Sequence, residues 1–344
     1  MPGMSTLAAD ISVRPTRRLP RIPPGMFSIA FGLVGLAGAW QVAGKLLGIP
    51  AAVADALFIV AAAVWIVLVA GYLAQGPARI LGDWRDGAMS PFIPLAVIVP
   101  MILAIPLSRF AFSAARVLVI VFLALTVLLG GWLTAEWVFA GVPQDRVHPG
   151  YYLPTVAGGF MGAYAASTVR LHTLAEAAFG IAIFCWILVA ALVLNRLIIR
   201  PALPPPLVPT LLIQLAPPVV GGIAYFAING GKIDFIAAAL GGYAVLMVVM
   251  QLRLLPLYAR LKFTFGFWAF TFTSAAAGIV ALMWITATRP AGTTAYAAVV
   301  LGLVSLLIGA IAVRSVIAIA RRQFFPPRPP VPAPAESVTV RSRR

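Results

Sequence analysis

Two carboxylates three residues apart, Asp83 and Asp86, have the spacing in this sequence that best suits catalysis. In membrane-embedded prenyltransferases such a D-x-x-D pair holds Mg²⁺ and a diphosphate, because the metal takes several oxygen ligands and the phosphate supplies the rest. That chemistry needs a second acidic pair in another loop, and the corresponding loop, 195–206, contains no Asp or Glu. Arg79 and Arg85 can also neutralise the pair locally. The sequence therefore predicts that the chain is not an enzyme.

The sequence contains few histidine and cysteine residues that could bind a metal or form a redox centre. His148 and His172 are the two histidines, far apart in sequence, and the single cysteine, Cys185, lies inside an apolar segment. Structural and catalytic metal sites usually bring three or four such side chains together. We therefore expect no cofactor and no bound metal.

Acidic side chains are missing from the middle of the apolar segments, because all nine lie near segment ends or outside them. Asp55, Glu176 and Asp234 fall in the first turns of predicted helices, where a negative charge complements the helix dipole, so capping is their expected role. Intramembrane carboxylates usually mark a proton relay. Their absence argues against proton-coupled transport through buried acids.

The elements that carry these residues must cross a membrane. Hydrophobic residues make up 62% of the 344 and charged residues 10%, against about 25% charged in an ordinary soluble domain. The mean hydropathy is +1.02. This composition excludes a soluble multidomain enzyme, and we expect membrane lipid to surround most of the chain.

Apolar segments broken by proline and glycine alternate with apolar segments free of proline, five of each. Each is close to the roughly 20 residues that cross a bilayer. Irregular backbone at membrane depth is tolerated only where protein buries it or where it lines a wet cavity. We therefore expect an all-α membrane protein with an inner ring of broken helices and an outer ring facing lipid. The broken segments are 23–47, 91–110, 152–169, 204–228 and 263–288, and the intact ones are 51–75, 113–139, 172–199, 231–255 and 291–319.

Residues in the broken segments are the candidates for lining a pathway. Pro100, Pro154 and Pro217 interrupt three of them, and Gln214 is a polar side chain midway along the fourth. Hydrogen bonding between helices is the alternative role for Gln214, and such bonds are typically worth about 0.6 kcal/mol.

The net charge of +16 follows membrane topology rather than nucleic-acid binding. With the N-terminus placed inside, 19 of the 25 Lys and Arg residues fall on the inner side and six on the outer. This is the positive-inside pattern of the cytoplasmic membrane, with both termini cytoplasmic. A cationic pore mouth also raises the local concentration of anions. We divide the chain into a basic arm (1–22), a transmembrane domain (23–322) and a Pro- and Arg-rich disordered tail (323–344).

Aromatic residues open the ninth segment. Phe265, Trp268 and Phe272 share one helical face, while Phe270 points elsewhere. Packing against neighbouring helices or lipid is the ordinary role of such rings. A ring that projects into a narrow pore could instead close it by sterics and dewetting.

Several stretches, in order from the first segment to the ninth, resemble the tellurite-resistance/dicarboxylate transporter family. This family includes bacterial TehA, the plant guard-cell slow anion channels and fungal dicarboxylate and sulfite transporters. Two departures are Gly159, where relatives often carry Asn, and Ala30, where TehA has proline. The stretches are Pro24-Gly25-Met26-Phe27, Gly32-Leu33, Ala39-Trp40, 148–154 (HPGYYLP), Leu215-Ala216-Pro217, Ala224-Tyr225, Ile228-Asn229, 251–254 (QLRL) and 268–272 (WAFTF).

The resemblance implies ten transmembrane helices, arranged as five hairpins in quasi-fivefold order around a central pore, and a homotrimer with one pore in each subunit. It implies that Phe272 occludes the pore and that Ser28 and Val220 face it. On this basis we expect a passive channel for small anions in a bacterial cytoplasmic (inner) membrane. The alternative is a secondary carrier for C4-dicarboxylates, sulfite or tellurium oxyanions, which would saturate at low substrate and couple to a proton gradient.

Overall fold

The computed structural model describes residues 21–325, and the regular secondary structure in that range is helical. The arm predicted for 1–22 lies outside this range except for its last two residues, and the tail predicted from 323 except for its first three. The α-helices in chain order are α1 (Phe27–Leu47), α2 (Ala51–Leu73), α3 (Pro77–Arg85), α4 (Leu95–Leu107), α5 (Phe112–Ala140), α6 (Gly158–Thr168), α7 (His172–Ile199), α8 (Ala216–Ile228), α9 (Phe235–Ala259), α10 (Ala269–Thr288) and α11 (Thr293–Ala320).

Five of these helices begin with irregular helical turns. Four of the five openings carry proline at their first or second position, where it donates no amide hydrogen to the i→i−4 ladder. We call these five, with their openings, the inner helices, and α2, α5, α7, α9 and α11 the outer helices. The openings are 3₁₀ turns at Pro24–Met26 (α1), Ser90–Phe92 (α4), Pro149–Tyr152 (α6), Pro205–Leu215 (α8) and Phe265–Trp268 (α10), with a further π-helical turn at Leu153–Ala157 before α6.

Burial separates the two sets of helices. Within residues 21–325, nine helical stretches are long and apolar enough to cross a membrane. The four inner ones among them are 50–78% buried over their most apolar windows, and the five outer ones 17–28%. The remaining inner segment, 149–168, is not among the nine, but sixteen of its twenty residues are buried. The structure thus has the inner and outer sets that the proline pattern predicts.

Contacts between the inner helices form a closed ring. α1 packs on α4, α4 on α6, α6 on α8, α8 on α10, and α10 returns to α1. Each outer helix packs on the inner helix that precedes it in the chain. Three of them, α2, α5 and α7, also contact the following inner helix. α11 closes the circuit against α1, while α9 contacts the opening of α8. The core of the molecule is therefore the axis of the inner ring.

Glycines allow α1 and α10 to approach most closely. A methyl group at Gly32 would lie 2.6 Å from Cβ of Thr271, and one at Gly35 would lie 2.8 Å from Cβ of Ala275. Real Cβ atoms do not approach other heavy atoms so closely, so these positions must lack a side chain. Glycine at both places lets the two backbones meet without a layer of side chains between them.

Two local details differ from the sequence analysis. The region of Asp83 and Asp86, interpreted as a loop, contains α3, which starts at Pro77 after Gly76 with φ 85°. The intact segment predicted to end at 255 continues as α9 through Pro256 to Ala259, because Pro256 lies in the last turn, where a kink disturbs little.

The three acids assigned to capping have different roles. Asp234 caps α9, since its Oδ1 accepts a hydrogen bond from the Ala237 amide at 3.0 Å. Asp55 instead pairs with Arg109 across the ends of α2 and α4. At the start of α7 no side chain caps the helix, so Glu176 is not a cap either. Of the three predicted caps, Asp234 is therefore confirmed, whereas Asp55 and Glu176 are each the fifth residue of their helix, beyond its first turn.

Candidate functional site

Two small cavities lie on the axis of the inner ring. The N-side cavity is lined by the first turns of all five inner helices, with Ser28, Leu95, Ala157, Ala216 and Phe272 as one contribution from each. Its volume is about 30 Å³, enough for a water molecule but not for a hydrated anion. The axis is therefore nearly closed in this part of the ring.

The C-side cavity lies farther along the same helices. Val34, Ile102, Met161, Ile223 and Ile279 line it, again one from each inner helix, and its volume is also about 30 Å³. Early residues of every inner helix meet at one cavity and later residues at the other. The five inner helices therefore run in the same direction.

Phe272 is shared by the two cavities. Its ring is 7% exposed and lines both of them, so it forms the partition between them. The ring stacks on Phe31 of α1, with centroids 3.5 Å apart and planes 17° apart. Two aromatic rings from α10 and α1 thus close the axis where the helices approach most closely.

The walls around Phe272 are apolar. Ser28 lines the N-side cavity, but its hydroxyl donates to the Gly25 carbonyl at 2.6 Å, so the donor is already used. Among the described residues that line the two cavities, none carries a charge. An ion on this axis would meet no fixed counter-charge, which suits weak binding and fast release.

Gln214 follows the lining residue Ile213 in the chain but does not itself line the N-side cavity. The amide is 3% exposed, and its Oε1 accepts a hydrogen bond of 2.8 Å from the hydroxyl of Tyr152. Its Nε2 has no protein partner. Because a buried donor without a partner costs free energy, this amide is a group that a passing anion could use.

The other residues expected on the pathway lie elsewhere in the inner ring. Pro100, Pro217 and Val220 are buried within α4 and α8 but do not line either cavity. Pro154 lies on the wall of a groove on the outside of the ring, between α5 and α7. Of the predicted pathway residues, Ser28 and Phe272 are therefore brought together at one cavity.

The remaining aromatics of 265–272 follow the predicted helical face only in part, because Phe265 lies in the 3₁₀ opening and does not line the cavity. Trp268 lines the N-side cavity with Phe272. Phe270 points away and packs edge-on against Tyr258 of α9, with centroids 5.0 Å apart. Sequence reasoning missed Phe31, the partner of Phe272. The available signal was its place one residue before Gly32, at the start of the glycine series on α1.

Ionisable groups gather near the openings of the inner helices. Asp83, interpreted as one half of a magnesium pair, accepts a hydrogen bond of 2.9 Å from Arg21. Burial raises the pKa of the Asp83 carboxyl, and Arg21 partly offsets the rise. Asp86 pairs with Arg146 at 3.6 Å. The partners are thus Arg21 and Arg146, distant in sequence, rather than the adjacent Arg79 and Arg85.

His148 links this end to the N-side cavity. Its Nδ1 accepts from the Gly150 amide at 3.0 Å, and its Nε2 lies 3.1 Å from the Ala88 carbonyl, so the proton is on Nε2. Burial lowers the pKa of His148 to about 4, because an imidazolium here would lose its hydration. The ring stacks on Phe92, a wall of the N-side cavity. The neutral histidine therefore supports the cavity wall.

Known proteins are similar to this chain over most of its length. The family model described as SLAC1, voltage-dependent anion channel, matches residues 21–316. The tellurite resistance protein TehA homolog of Haemophilus influenzae is 30% identical over 308 residues, which cover 88% of this chain and 93% of that protein. The family match begins before α1 and ends in α11, so it includes all the residues that line the two cavities.

Proposed function

The chain belongs to the SLAC1 family of voltage-dependent anion channels, and we propose that it passes small anions along the axis of its inner ring. This membership confirms the resemblance drawn from sequence. The proposed pathway runs from the N-side cavity to the C-side cavity. Phe272 closes it at rest, and displacement of the ring opens it.

The observation that carries the proposal is the position of Phe272. It is the residue that the two axial cavities have in common, and its ring is stacked on Phe31. A ring on the axis of a narrow apolar passage blocks it by sterics and by excluding water. Ser28, on the wall of the N-side cavity, lies on the same route, and we place Gln214, Pro100, Pro217 and Val220 along it when the pathway widens. Pro154, also expected there from sequence, faces the outer groove instead.

We propose that ten membrane-crossing segments surround this pathway as five hairpins in quasi-fivefold order. The support is the closed circuit of inner-helix contacts, with each outer helix packed on the inner helix before it. Segment 149–168 would be the tenth crossing, tolerated despite its irregular turns because protein surrounds it. We further propose that three chains associate, each with its own pathway.

Selectivity for anions would come from electrostatic potential rather than from a fixed binding site. The chain carries a net charge of +16. From the Lys and Arg bias we propose that both termini and the openings of the inner helices lie on the cytoplasmic side of a bacterial inner membrane. A cationic mouth concentrates anions and repels cations.

A secondary carrier is the competing mechanism. The similar Haemophilus influenzae protein is named for tellurite resistance, so a tellurium oxyanion is a candidate substrate, along with sulfite and C4-dicarboxylates. A carrier must bind its substrate at a defined site, and the axial cavities have no charged group to form one. This favours the channel.

The deciding experiment is anion flux in proteoliposomes that contain the purified full-length chain. Wild type and Phe272→Ala are compared with chloride, nitrate, malate and sulfite. Flux that does not saturate and rises in the variant supports the gated channel. Slow, saturable uptake of one anion that depends on a pH gradient, with no increase in the variant, rejects the channel in favour of the carrier.

A further inference from the structure

A deep groove lies on the outer surface of the ring, between α5 and α7. Its volume is about 790 Å³, and its walls are almost wholly apolar. Small residues, including Gly130, Gly131 and Ala178, form its lining together with the exposed rings of Trp132 and Phe139. Its size is that of a site for a small organic molecule rather than a packing defect.

A polar pocket continues from one end of this groove. It has a volume of about 460 Å³ and shares Glu136 and Phe139 with the groove. Arg85 and Arg146 line it, and both are exposed. Trp84 and Trp137 also line it, and indole rings are typical of the level where headgroups meet hydrocarbon. The combined site is therefore apolar along its length, and its mouth, with two arginines and Glu136, keeps one net positive charge.

The surroundings limit what can fill such a site. The groove opens from the outer helices, which face lipid, and its apolar walls offer water few partners. The apolar groove suits an acyl chain. Guanidinium groups bind phosphate through paired hydrogen bonds, so Arg85, and Arg146 in exchange for its contact with Asp86, suit a phosphate. Glu136, at the junction, can accept hydrogen bonds from the hydroxyl groups of a glycerol headgroup.

A second copy of the chain complements this mouth less well than an anionic lipid does. Of the described acids near this end, Asp83 pairs with Arg21 and Asp86 with Arg146, while Glu136 is part of the pocket itself. A copy with a net charge of +16 brings few free carboxylates to meet Arg85. Basic pockets between membrane helices on the cytoplasmic side are a usual mode of anionic lipid recognition.

We propose that this groove and pocket form a binding site for an anionic phospholipid. One acyl chain lies between α5 and α7, and the phosphate lies between Arg85 and Arg146. The site also touches the inner ring. Pro154 and Thr155 of the π-helical turn line the groove, while Leu153 and Ala157 of the same turn line the N-side cavity. A bound lipid thus contacts the π-helical turn on the side opposite the N-side cavity.

The test uses native mass spectrometry of the full chain with phosphatidylglycerol or phosphatidylcholine added. Wild type is expected to retain phosphatidylglycerol preferentially, and the double variant Arg85→Gln/Arg146→Gln to retain it about tenfold less. Arg79→Gln, an exposed arginine on the same α3 that does not line the pocket, is the matched control and should retain the lipid fully.

A second variant fills the groove without touching the arginines. A Cβ at Gly131 meets no atom within 4 Å, so Gly131→Leu projects into the groove and should lower retention of both lipids. Gly302→Leu, on an exposed and equally open position of α11, should not. This pair keeps the test informative if the arginine variant does not fold.

Cys185, the single cysteine, lies in the groove and reports occupancy directly. Added phosphatidylglycerol should slow its alkylation by N-ethylmaleimide in wild type but not in Arg85→Gln/Arg146→Gln. The proposal is overturned if wild type retains the two lipids equally. It is also overturned if Gly131→Leu changes the oligomeric state while lipid retention stays constant, because the groove would then be a contact between chains.

Discussion

The rings of Phe31 and Phe272 are stacked at a centroid distance of 3.5 Å, across the contact between the first and the tenth α-helix. The Phe31 ring lines the N-side cavity, while the Phe272 ring lines both cavities. Movement of Phe272 off the axis must therefore break its contact with Phe31. The free energy of the Phe31–Phe272 contact therefore contributes to the free-energy barrier for opening the pathway.

The first prediction concerns that pair. Phe31→Ala removes the ring on which Phe272 rests, so basal anion flux should rise by about tenfold, which corresponds to a barrier lower by about 1.4 kcal/mol. Phe226→Ala is the matched control, because Phe226 is also buried but packs on Trp284 and lines neither cavity. Flux measured in proteoliposomes should be unchanged in the control. Equal flux in wild type and Phe31→Ala would show that Phe31 does not hold the gate.

The second prediction concerns the close approach of α1 and α10. Gly32→Ala places a methyl group 2.6 Å from Cβ of Thr271, so the helices must separate. The free energy of unfolding should fall by about 1–3 kcal/mol, the usual cost of overpacking. Thermal unfolding in detergent measures this. Gly302→Ala, where a methyl group meets open space, should cost nothing, and a similar loss in both variants would contradict the packing argument.

The third prediction concerns pH. His148 is buried as the neutral form and its pKa is about 4, below the ordinary 6.5. Because the unfolded chain binds the proton more readily, stability is complete above pH 6.5 and declines as the pH falls toward 4. The loss should reach about 2 kcal/mol at pH 5. His148→Gln should lack this component.

The measurement is the thermal unfolding temperature of both proteins from pH 7.5 to 4.5. The charged groups that contribute at His148 are Arg196, which lowers its pKa, and Asp86, which raises it. Asp83, whose pKa is raised, changes stability in the opposite direction and is common to both proteins. Parallel pH curves for wild type and His148→Gln would exclude His148 as the titrating group.

The fourth prediction concerns the free amide of Gln214. In a Phe272→Ala background, Gln214→Glu keeps the acceptor for Tyr152 but replaces the Nε2 donor, so anion flux should fall severalfold. Tyr152→Phe in the same background removes the hydroxyl and leaves the amide, so flux should change little. Flux through Gln214→Glu equal to that of the background would remove Gln214 from the pathway.

The sequence predicted the inner and outer helices because both depend on local chemistry. Proline at the openings of α1, α4, α6 and α8 fixes its own backbone torsion and restricts the residue before it, and both effects follow from the local sequence. The length of an apolar segment also follows directly from the sequence. The partner of Phe272 could not be read in this way. The helices of the inner ring are apolar on every side, so periodicity does not tell which face of α1 meets α10.

Ion pairs between residues distant in the chain could not be predicted from the sequence for a related reason. Arg79 and Arg85 lie close to Asp83 and Asp86 in the chain, yet Arg21 and Arg146 approach them in space. Only the packing of the helix openings brings those distant loops together. The short helix α3 was missed as well, since its nine residues are too few and too polar to form a membrane-spanning segment, the pattern that identified the other helices.

The common direction of the five inner helices has an electrical consequence. Their peptide dipoles add along the axis, so the end at Pro24, Ser90, Pro149, Pro205 and Phe265 is positive relative to the other. An anion approaching an open pathway from that end meets an attractive field, and one approaching from the far end meets a repulsive one. Currents carried by anions should therefore rectify, with unequal conductance at opposite voltages of equal size.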